Sequence, residues 1–380
     1  PRRFGDRPYA DVDPGQSTVR VDAGPVAAGA STANQTWGPG DRHPMIVGNN
    51  AAGYPHVFVG TSGPVDLWIA RVNARAVWGR LDQSDYSPVQ GSEAFLDLQQ
   101  PGTRRFASGV VAVVQPRGLV GLELGGARFF HSPWRAGGPT GRDYRKPFEA
   151  FFKRDVPRNE LNPTDPSTDF DNQLASLFMR WVLPRSGFEI AGEFYKEDHN
   201  FDARDLVLEP DHNAGYALSA RKAFRRRDGV VGLRAEIVNL EVTPIGRQRP
   251  QGLNYVGGYL RQGHTQLGQS LGADVGVGSA SGATAGADWY TPRGRWSLSW
   301  SRTLRQDDVP RVTEFGLVAP ATTVDRRAYD VLHALGAEAV LFRGPLDVTA
   351  GLTGALNLNR EFRGDVFNVN GLLGVRYNLR

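Results

Sequence analysis

The sequence has no cysteine, which excludes disulfides and thiolate metal sites. It has no apolar run of the length a membrane-spanning helix needs, and its mean hydropathy is −0.38. A helical membrane protein is therefore excluded. A membrane β-barrel is not, because only alternate residues of a barrel strand face lipid. Lysine is scarce: Lys146, Lys153, Lys196 and Lys222 stand against a total of 44 basic residues, the rest being arginine. Arginine is the better residue for bidentate contacts to carboxylate or phosphate, although a GC-rich genome gives the same bias. No signal-like apolar segment follows Pro1, as in a processed chain or a fragment, so the export route is not legible.

Several chemistries lack their signatures. There is no P-loop, no complete G-x-G-x-x-G, and no H-E-x-x-H among the 7 His. Asp165, Asp169 and Asp171 crowd one loop, and Glu197, Asp198, His199 and Asp202 another. Neither has the central Gly and distal Glu of an EF-hand, so they read as solvated loop acids, with calcium bridging in a surface loop as the other reading. No metal and no cofactor is expected. Basic residues alternate within strands instead of forming one stripe, and net charge is only +4, so nucleic acid is not an expected partner. Gly268-Gln269-Ser270-Leu271-Gly272 fits G-x-S-x-G, but a nucleophile elbow needs a strand, a sharp turn and a helix, and Gly-rich text follows instead. On one extended strand His264 and Ser270 would lie roughly 20 Å apart, too far for base and nucleophile. No enzyme is expected, and a barrel-type lipid hydrolase is the weakest alternative.

What the sequence does have is alternation. In Val65 to Leu81 one set is Trp68, Ala70, Val72, Ala74, Ala76 and Trp78, and the other includes Arg71, Asn73 and Arg75. Side chains alternate across a strand, so this reads as one long strand with a different solvent on each face. Ten steps tilted by about 40° separate the two Trp by roughly 25 Å along a barrel axis, the height of an outer-membrane apolar band. Trp68 and Trp78 then serve as girdle residues and Arg71, Asn73 and Arg75 face the lumen. A soluble sandwich strand with a wet basic face is the other reading.

The same dyad recurs along the chain. Residues 1–16 are an irregular lead, and Ser17 to Ala23 reads as a first strand. Residues 24–54 carry little strand pattern, a short strand follows at about 55–60, and residues 82–103 are a polar connection. Hairpins are expected over residues 104–131, 173–198 and 215–243, with a long loop over 132–172 in which Pro147 to Asp155 forms a short helix. Leu253 to Gln262 reads as another strand. Val231, Leu233, Ala235 and Ile237 alternate with Arg234 and Glu236, and Trp296, Leu298 and Trp300 with serines. The C-terminal strands are the cleanest, Leu346 to Leu358 and Val369 to Leu379 alternating with Asp, Thr, Asn and Arg. Short turns alternate with long loops. The expected fold is all-β: a single transmembrane antiparallel β-barrel over 1–380, of roughly 16–18 strands with long loops and small helical insertions. Closure of the barrel would remove sheet edges.

Residues 34–51, NQTWGPGDRHPMIVGNNA, resemble the signature of the Wzi-type capsule assembly proteins. The matching text is Trp37-Gly38-Pro39-Gly40, then Met45-Ile46-Val47, then Asn49-Asn50-Ala51 and Pro55. Asp171-Asn172-Gln173-Leu174, Arg180-Trp181, Glu193, Glu197-Asp198 and the stretch Tyr259 to Gly272 follow in the family's order. The resemblance implies an outer-membrane β-barrel, largely occluded, that acts at the cell surface as a lectin holding capsular polysaccharide. Two departures stand out: there is no room before Ser17 for the family's N-terminal helical segment, and Tyr377-Asn378-Leu379-Arg380 lacks a terminal aromatic.

On its own chemistry, WGPG is a rigid turn, since Pro39 fixes φ and the flanking glycines tolerate unusual backbone. Either the segment folds inside the barrel and satisfies itself, or Trp37 stacks on a sugar ring while Arg42, Asn49 and Asn50 bind hydroxyls or carboxylates. Arg71, Arg75, Arg234 and Glu236 are the lumen candidates, as binding groups or as a mutual salt-bridge network. Expected partners are surface or capsular polysaccharide, outer-membrane lipid and lipopolysaccharide, and other envelope proteins. Arg225-Arg226-Arg227 is either a phosphate contact or a solvated turn. The alternative function is a diffusion porin with an Arg-lined lumen.

Overall fold

The computed structural model describes residues 15–84, 104–134, 137–149, 171–197, 202–242, 251–256, 260, 262–306, 317–318 and 329–378. The loop residues Asp165, Asp169, Asp198 and His199, the lead over 1–14, residues 85–103, most of the 132–172 loop, Tyr259 and the last two residues lie outside these.

Alternating apolar residues build long antiparallel strands. The chain forms β1 (Thr18–Ala23), β2 (Val26–Ser31), β3 (His56–Thr61), β4 (Val65–Asp66) and β5 (Ala70–Asp82). Next come β6 (Arg104–Pro116), β7 (Leu122–Pro133), β8 (Asn172–Leu183) and β9 (Phe188–Glu197). They are followed by β10 (Ala214–Arg226), β11 (Gly229–Asn239), β12 (Gln251–Gly252), β13 (Thr265–Gln266) and β14 (Gln269–Ser270). The last are β15 (Ala280–Thr291), β16 (Gly294–Gln306), β17 (Leu317–Val318), β18 (Tyr329–Arg343), β19 (Leu346–Arg360) and β20 (Gly364–Tyr377). Sixteen strands make one sheet in chain order, each paired to its neighbour, with β4 attached to β5. β12 pairs β17, and β13 pairs β14, outside it. Among the described residues the helical insertions are a single turn of 3-10 helix at Lys146–Phe148 and α1 (Ala203–Leu208), capped by Asp202; the expected helix over Pro147 to Asp155 lies outside them from residue 150 on.

Connections alternate. Tight turns such as 184–187, 227–228, 292–293 and 344–345 lie at one end, and the strand ends that bound the long connections 32–55, 83–103, 134–171 and 240–279 lie at the other. In outer-membrane barrels the short turns face the periplasm and the long loops face outward. Arg225-Arg226-Arg227 sits at a tight turn, on the periplasmic end by this rule.

Two expectations change. Val65 to Leu81 is not one strand: the chain turns at 67–69, and β4 folds back so that Asp66 pairs Arg71. Trp68 stands on that turn, 91% exposed. Within β5 the facing is as read, since Val57, outward and half exposed, pairs Trp78, while buried Phe58 pairs Val77 and Gly60 pairs Arg75. Residues 24–54, read as carrying little strand pattern, contain β2, whose small residues VAAGAS gave little alternating signal.

The outward face is apolar. Leu298, Leu335, Leu352 and Leu373 are 60% to 78% exposed, and Trp289 and Trp296 pair across β15 and β16. Exposed apolar surface on this scale marks a lipid-facing wall. The inward face carries Glu193, Arg234, Glu236, Asp288, Ser297, Glu338 and Thr353. The sheet ends at β1 and β20, which are not paired with each other among the described residues, so the two edges that closure would remove remain.

The core lies inside the curved sheet. It is formed by two irregular segments, 32–55 and 253–279, packed on inward residues of β3 to β11. Leu253 to Gln262 is thus not a wall strand. Its apolar residues Leu253, Tyr255, Val256 and Leu260 are buried at 7% exposure or less, against the 32–55 insert and the inner wall. Its polar residues Asn254 and Gln262 are buried as well, so the stretch has no two-solvent alternation, and periodicity alone does not separate a buried coil from a buried strand.

Candidate functional site

The insert 32–55 is held by inward carboxylates of the wall. Glu236 on β11, 4% exposed, accepts backbone N–H bonds from Asp41, Arg42 and His43 at 3.1, 3.0 and 3.2 Å. Glu193 on β9 accepts from Met45 N at 3.0 Å. Glu197 at the end of β9 accepts from Tyr195 Oη at 2.7 Å, from Asn172 Nδ2 at 2.6 Å and from Tyr255 N at 2.5 Å, which ties in the second segment. A buried carboxylate is tolerated only with such donors, and each peptide N–H it accepts fixes one residue of irregular chain. The two segments also hold each other. Tyr255 Oη donates to Met45 O at 2.6 Å, His264 Nε2 to Ile46 O at 2.5 Å, and Asn50 Nδ2 to Ser270 O at 3.0 Å.

The WGPG turn has a structural task. Gly38 takes φ +89, and a Cβ there would meet the Glu193 carboxylate at 2.6 Å. Trp37 is 3% exposed, stacks edge-on against Phe129 at 6.0 Å and donates Nε1 to Gln35 Oε1 at 3.2 Å. Its ring reaches the wall where Gly109 leaves room, since a Cβ there would sit 2.7 Å from Trp37. Stacking on a sugar requires an open ring face, and Trp37 has none, so the stacking expectation is corrected: Trp37 is a core residue. Asn49 accepts from Asn34 Nδ2 at 2.5 Å, and Asn50 is spent on Ser270 O of the second segment. Glu236 is an anchor for the insert. Arg71 pairs with Asp66 at 3.0 Å at the tight-turn end, and Arg75 lies over the Phe58 ring at 4.7 Å.

Arg42 and Arg234 are brought together. On the periplasmic side of the insert the wall encloses a vestibule of about 820 Å³, within the range of small-molecule sites. Asp41 and Arg42 project into it from the insert, facing Arg221, Arg234 and Arg295 of the wall. Each guanidinium is oriented by a carboxylate: Arg42 by Asp274 at 2.8 Å, Arg221 by Asp41 at 3.4 Å, Arg234 by Asp288, and Arg295 by Glu338. Ser297, Ser299, Thr353 and Asn370 add neutral donors and acceptors, and Tyr290, 47% exposed, adds an aromatic face. Burial pushes the Asp274 carboxyl up, but His43, whose Nδ1 lies 2.8 Å away, and Arg42 outweigh it and hold the group below the usual carboxylate range.

Arg221, Asp288, Tyr290, Arg295 and Glu338 were not singled out from sequence. The only signal was their inward parity in strands, shared by dozens of residues. Ser270 is placed differently from the extended reading: β13 and β14 pair Thr265 with Ser270, so the roughly 20 Å separation does not apply. Ser270 is 5% exposed in a tight hairpin, not on a strand-to-helix turn, while the His264 ring is committed to Ile46. Asp171 pairs with Lys146 at 2.6 Å, and no group of three metal-ligating side chains occurs among the described residues.

No family model matches the sequence, and no curated protein matches it. Among solved structures the chain is similar to Wzi of Escherichia coli, described as an outer-membrane protein involved in group 1 capsule assembly and a carbohydrate-binding β-barrel. Identity is 15%, covering 95% of this chain and 70% of that one, with a TM-score of 0.64. A second match, the outer-membrane channel DcaP of Acinetobacter baumannii, has 8% identity over 86% of this chain and 84% of that one; its TM-score of 0.33 carries no weight. The likeness to Wzi shows the fold: this chain has the architecture of an outer-membrane β-barrel.

Proposed function

We propose that the chain works in the outer membrane as a non-catalytic barrel that binds and anchors capsular or other surface polysaccharide. The observation that carries this reading is the chemistry of the vestibule, which lies on the periplasmic side of the insert and so takes the polysaccharide where its chain reaches the inner end of the barrel. Arg42, Arg221, Arg234 and Arg295 alternate with Asp41, Asp288 and Glu338, and hydroxyl side chains fill the gaps. A sugar presents vicinal hydroxyls that both donate and accept. A carboxylate accepts from one hydroxyl while the adjacent guanidinium donates to the next. Because every guanidinium already has a carboxylate beside it, the lining is close to neutral and preorganised, which suits a polyhydroxylated ligand better than a small multivalent anion. Tyr290 takes the stacking role that one of the two sequence readings gave to Trp37. The Wzi neighbour, described as carbohydrate-binding, supports the same reading.

The insert argues against an open porin, because Met45, Ile46 and Val47 are at most 1% exposed inside the sheet. The test is retention of surface polysaccharide from the source cells by detergent-purified protein. Tyr290→Ala and Arg295→Ala should weaken it about tenfold each, the size of one lost charged or stacking contact. Unchanged binding in both variants would overturn the vestibule as the site. Single-channel conductance of nanosiemens order would favour the porin alternative.

A further inference from the structure

We propose a second binding site, on the outward face of the barrel at the loop end of β5 and β6, for a phosphorylated glycolipid of the outer leaflet. It uses no residue of the vestibule and does not depend on polysaccharide binding; it rests only on the barrel lying in an outer membrane.

Strand register sets out the surface. Val19 pairs Ala30, Ala30 pairs Val57, and Val57 pairs Trp78, which makes an apolar row across β1, β2, β3 and β5. Val19 is 74% and Val57 51% exposed. One dyad step nearer the loops the outward residues are Arg80 and its partner Phe106, and one step further Asp82 and its partner Arg104. The surface therefore changes from apolar to charged over two dyad steps, roughly 13 Å along the strand.

The segment after β7 folds down over this face. Trp78 Nε1 donates to Tyr144 O at 2.9 Å, Tyr144 packs on Phe106 at 5.1 Å between ring centres, and Phe106 packs on Trp134 at 6.0 Å. Between this aromatic wall and the valine row is a cleft of about 480 Å³, with Arg80 at its margin. Two guanidiniums share one carboxylate there. Arg80 lies 3.1 Å and Arg104 4.0 Å from Asp82, leaving the margin net positive. Their side chains are 37% and 61% exposed.

The vertical order matches an amphiphile standing in the outer leaflet. An acyl chain fills the cleft along Val19, Val57 and Trp78, and a sugar-borne phosphate meets Arg80 and Arg104, which suit bidentate phosphate contacts. Interfacial aromatics beside it are the expected girdle. The Arg225-Arg226-Arg227 turn lies at the opposite end of the wall and cannot contact the same leaflet.

The test is native mass spectrometry of the full chain in detergent with diphosphorylated, acylated diglucosamine as probe, and with the same lipid lacking its phosphates. Wild type should retain the phosphorylated probe about tenfold or more tightly than the phosphate-free one, and Arg80→Gln/Arg104→Gln should remove that preference. Arg225→Gln/Arg226→Gln should keep it. Equal retention of both lipids by wild type, or a preference surviving in the Arg80/Arg104 variant, overturns the proposal. Polysaccharide retention should be unchanged in all these variants, so loss of one activity is read apart from the other.

Discussion

Glu236→Ala should free the insert from the wall. The substitution removes the acceptor of three peptide N–H groups, those of Asp41, Arg42 and His43. A hydrogen bond to an ionised partner contributes about 1.5–3 kcal/mol when buried. His43 is 1% exposed and its N–H has no access to water, while Asp41 and Arg42 are exposed enough for water to replace part of their loss. Discounting those two gives a cost of roughly 3–4 kcal/mol. That is a hundred- to thousand-fold rise, in order of magnitude, in the population with the segment undocked. Glu236→Gln keeps one oxygen acceptor and should cost about half as much. The effect is local, because the ladder bonds of β11 run through the backbone of Glu236, which the substitution leaves in place. Limited proteolysis within residues 32–55, with the barrel followed by heat-modifiable electrophoretic mobility, separates the two. Rapid cleavage in a barrel that otherwise stays folded is expected. Wild-type protection in Glu236→Ala would refute the claim that this carboxylate anchors the insert.

Other substitutions probe the same arrangement. Gly38→Ala places a Cβ against Glu193 at a positive φ and should raise proteolysis of the insert, at a cost of about 1–3 kcal/mol. Trp37→Ala should destabilise by about 3–5 kcal/mol as a core cavity, and Trp37→Phe by much less; equal loss of polysaccharide binding in both without destabilisation would restore Trp37 as a ligand contact. His264 is lowered to about 4 by burial, partly offset by its bond to Ile46 O. Its folded value lies below the unfolded one, so the stability from the neutral ring is complete above about pH 6.5 and is lost as pH falls toward 4. Urea unfolding at pH 7 and 5 should show that fall in wild type and a smaller one in His264→Asn; identical slopes would refute it. Gly286→Val pushes against the Arg234 guanidinium, 2.7 Å from a Cβ at Gly286, and should weaken polysaccharide retention several-fold without unfolding, as measured on the same detergent preparation.

Sequence reading worked where the physics is local. Alternation in β16, β19 and β20 is a property of neighbouring residues, because a strand between lipid and lumen puts every second side chain in each solvent. The facing of Arg71, Arg75, Arg234 and Glu236 followed from that parity, and the tight turns followed from Pro and Gly chemistry. It failed where apolar residues are buried without a period. Leu253, Tyr255 and Val256 look like a strand, and small-residue β2 does not.

The all-β barrel wall was thus determined by the sequence alone, since each strand carries its own two-solvent pattern. The interior was decided only by tertiary structure. Trp37 becomes core because Gly109 and Phe129, far along the chain, shape its pocket. Glu236 becomes an anchor because three peptide groups about 195 residues earlier reach it. Arg42, Arg221, Arg234 and Arg295 meet because the curved sheet brings four separate segments around one space. No local pattern encodes such meetings, since they depend on register summed over many strands and on which donors a buried charge finds there.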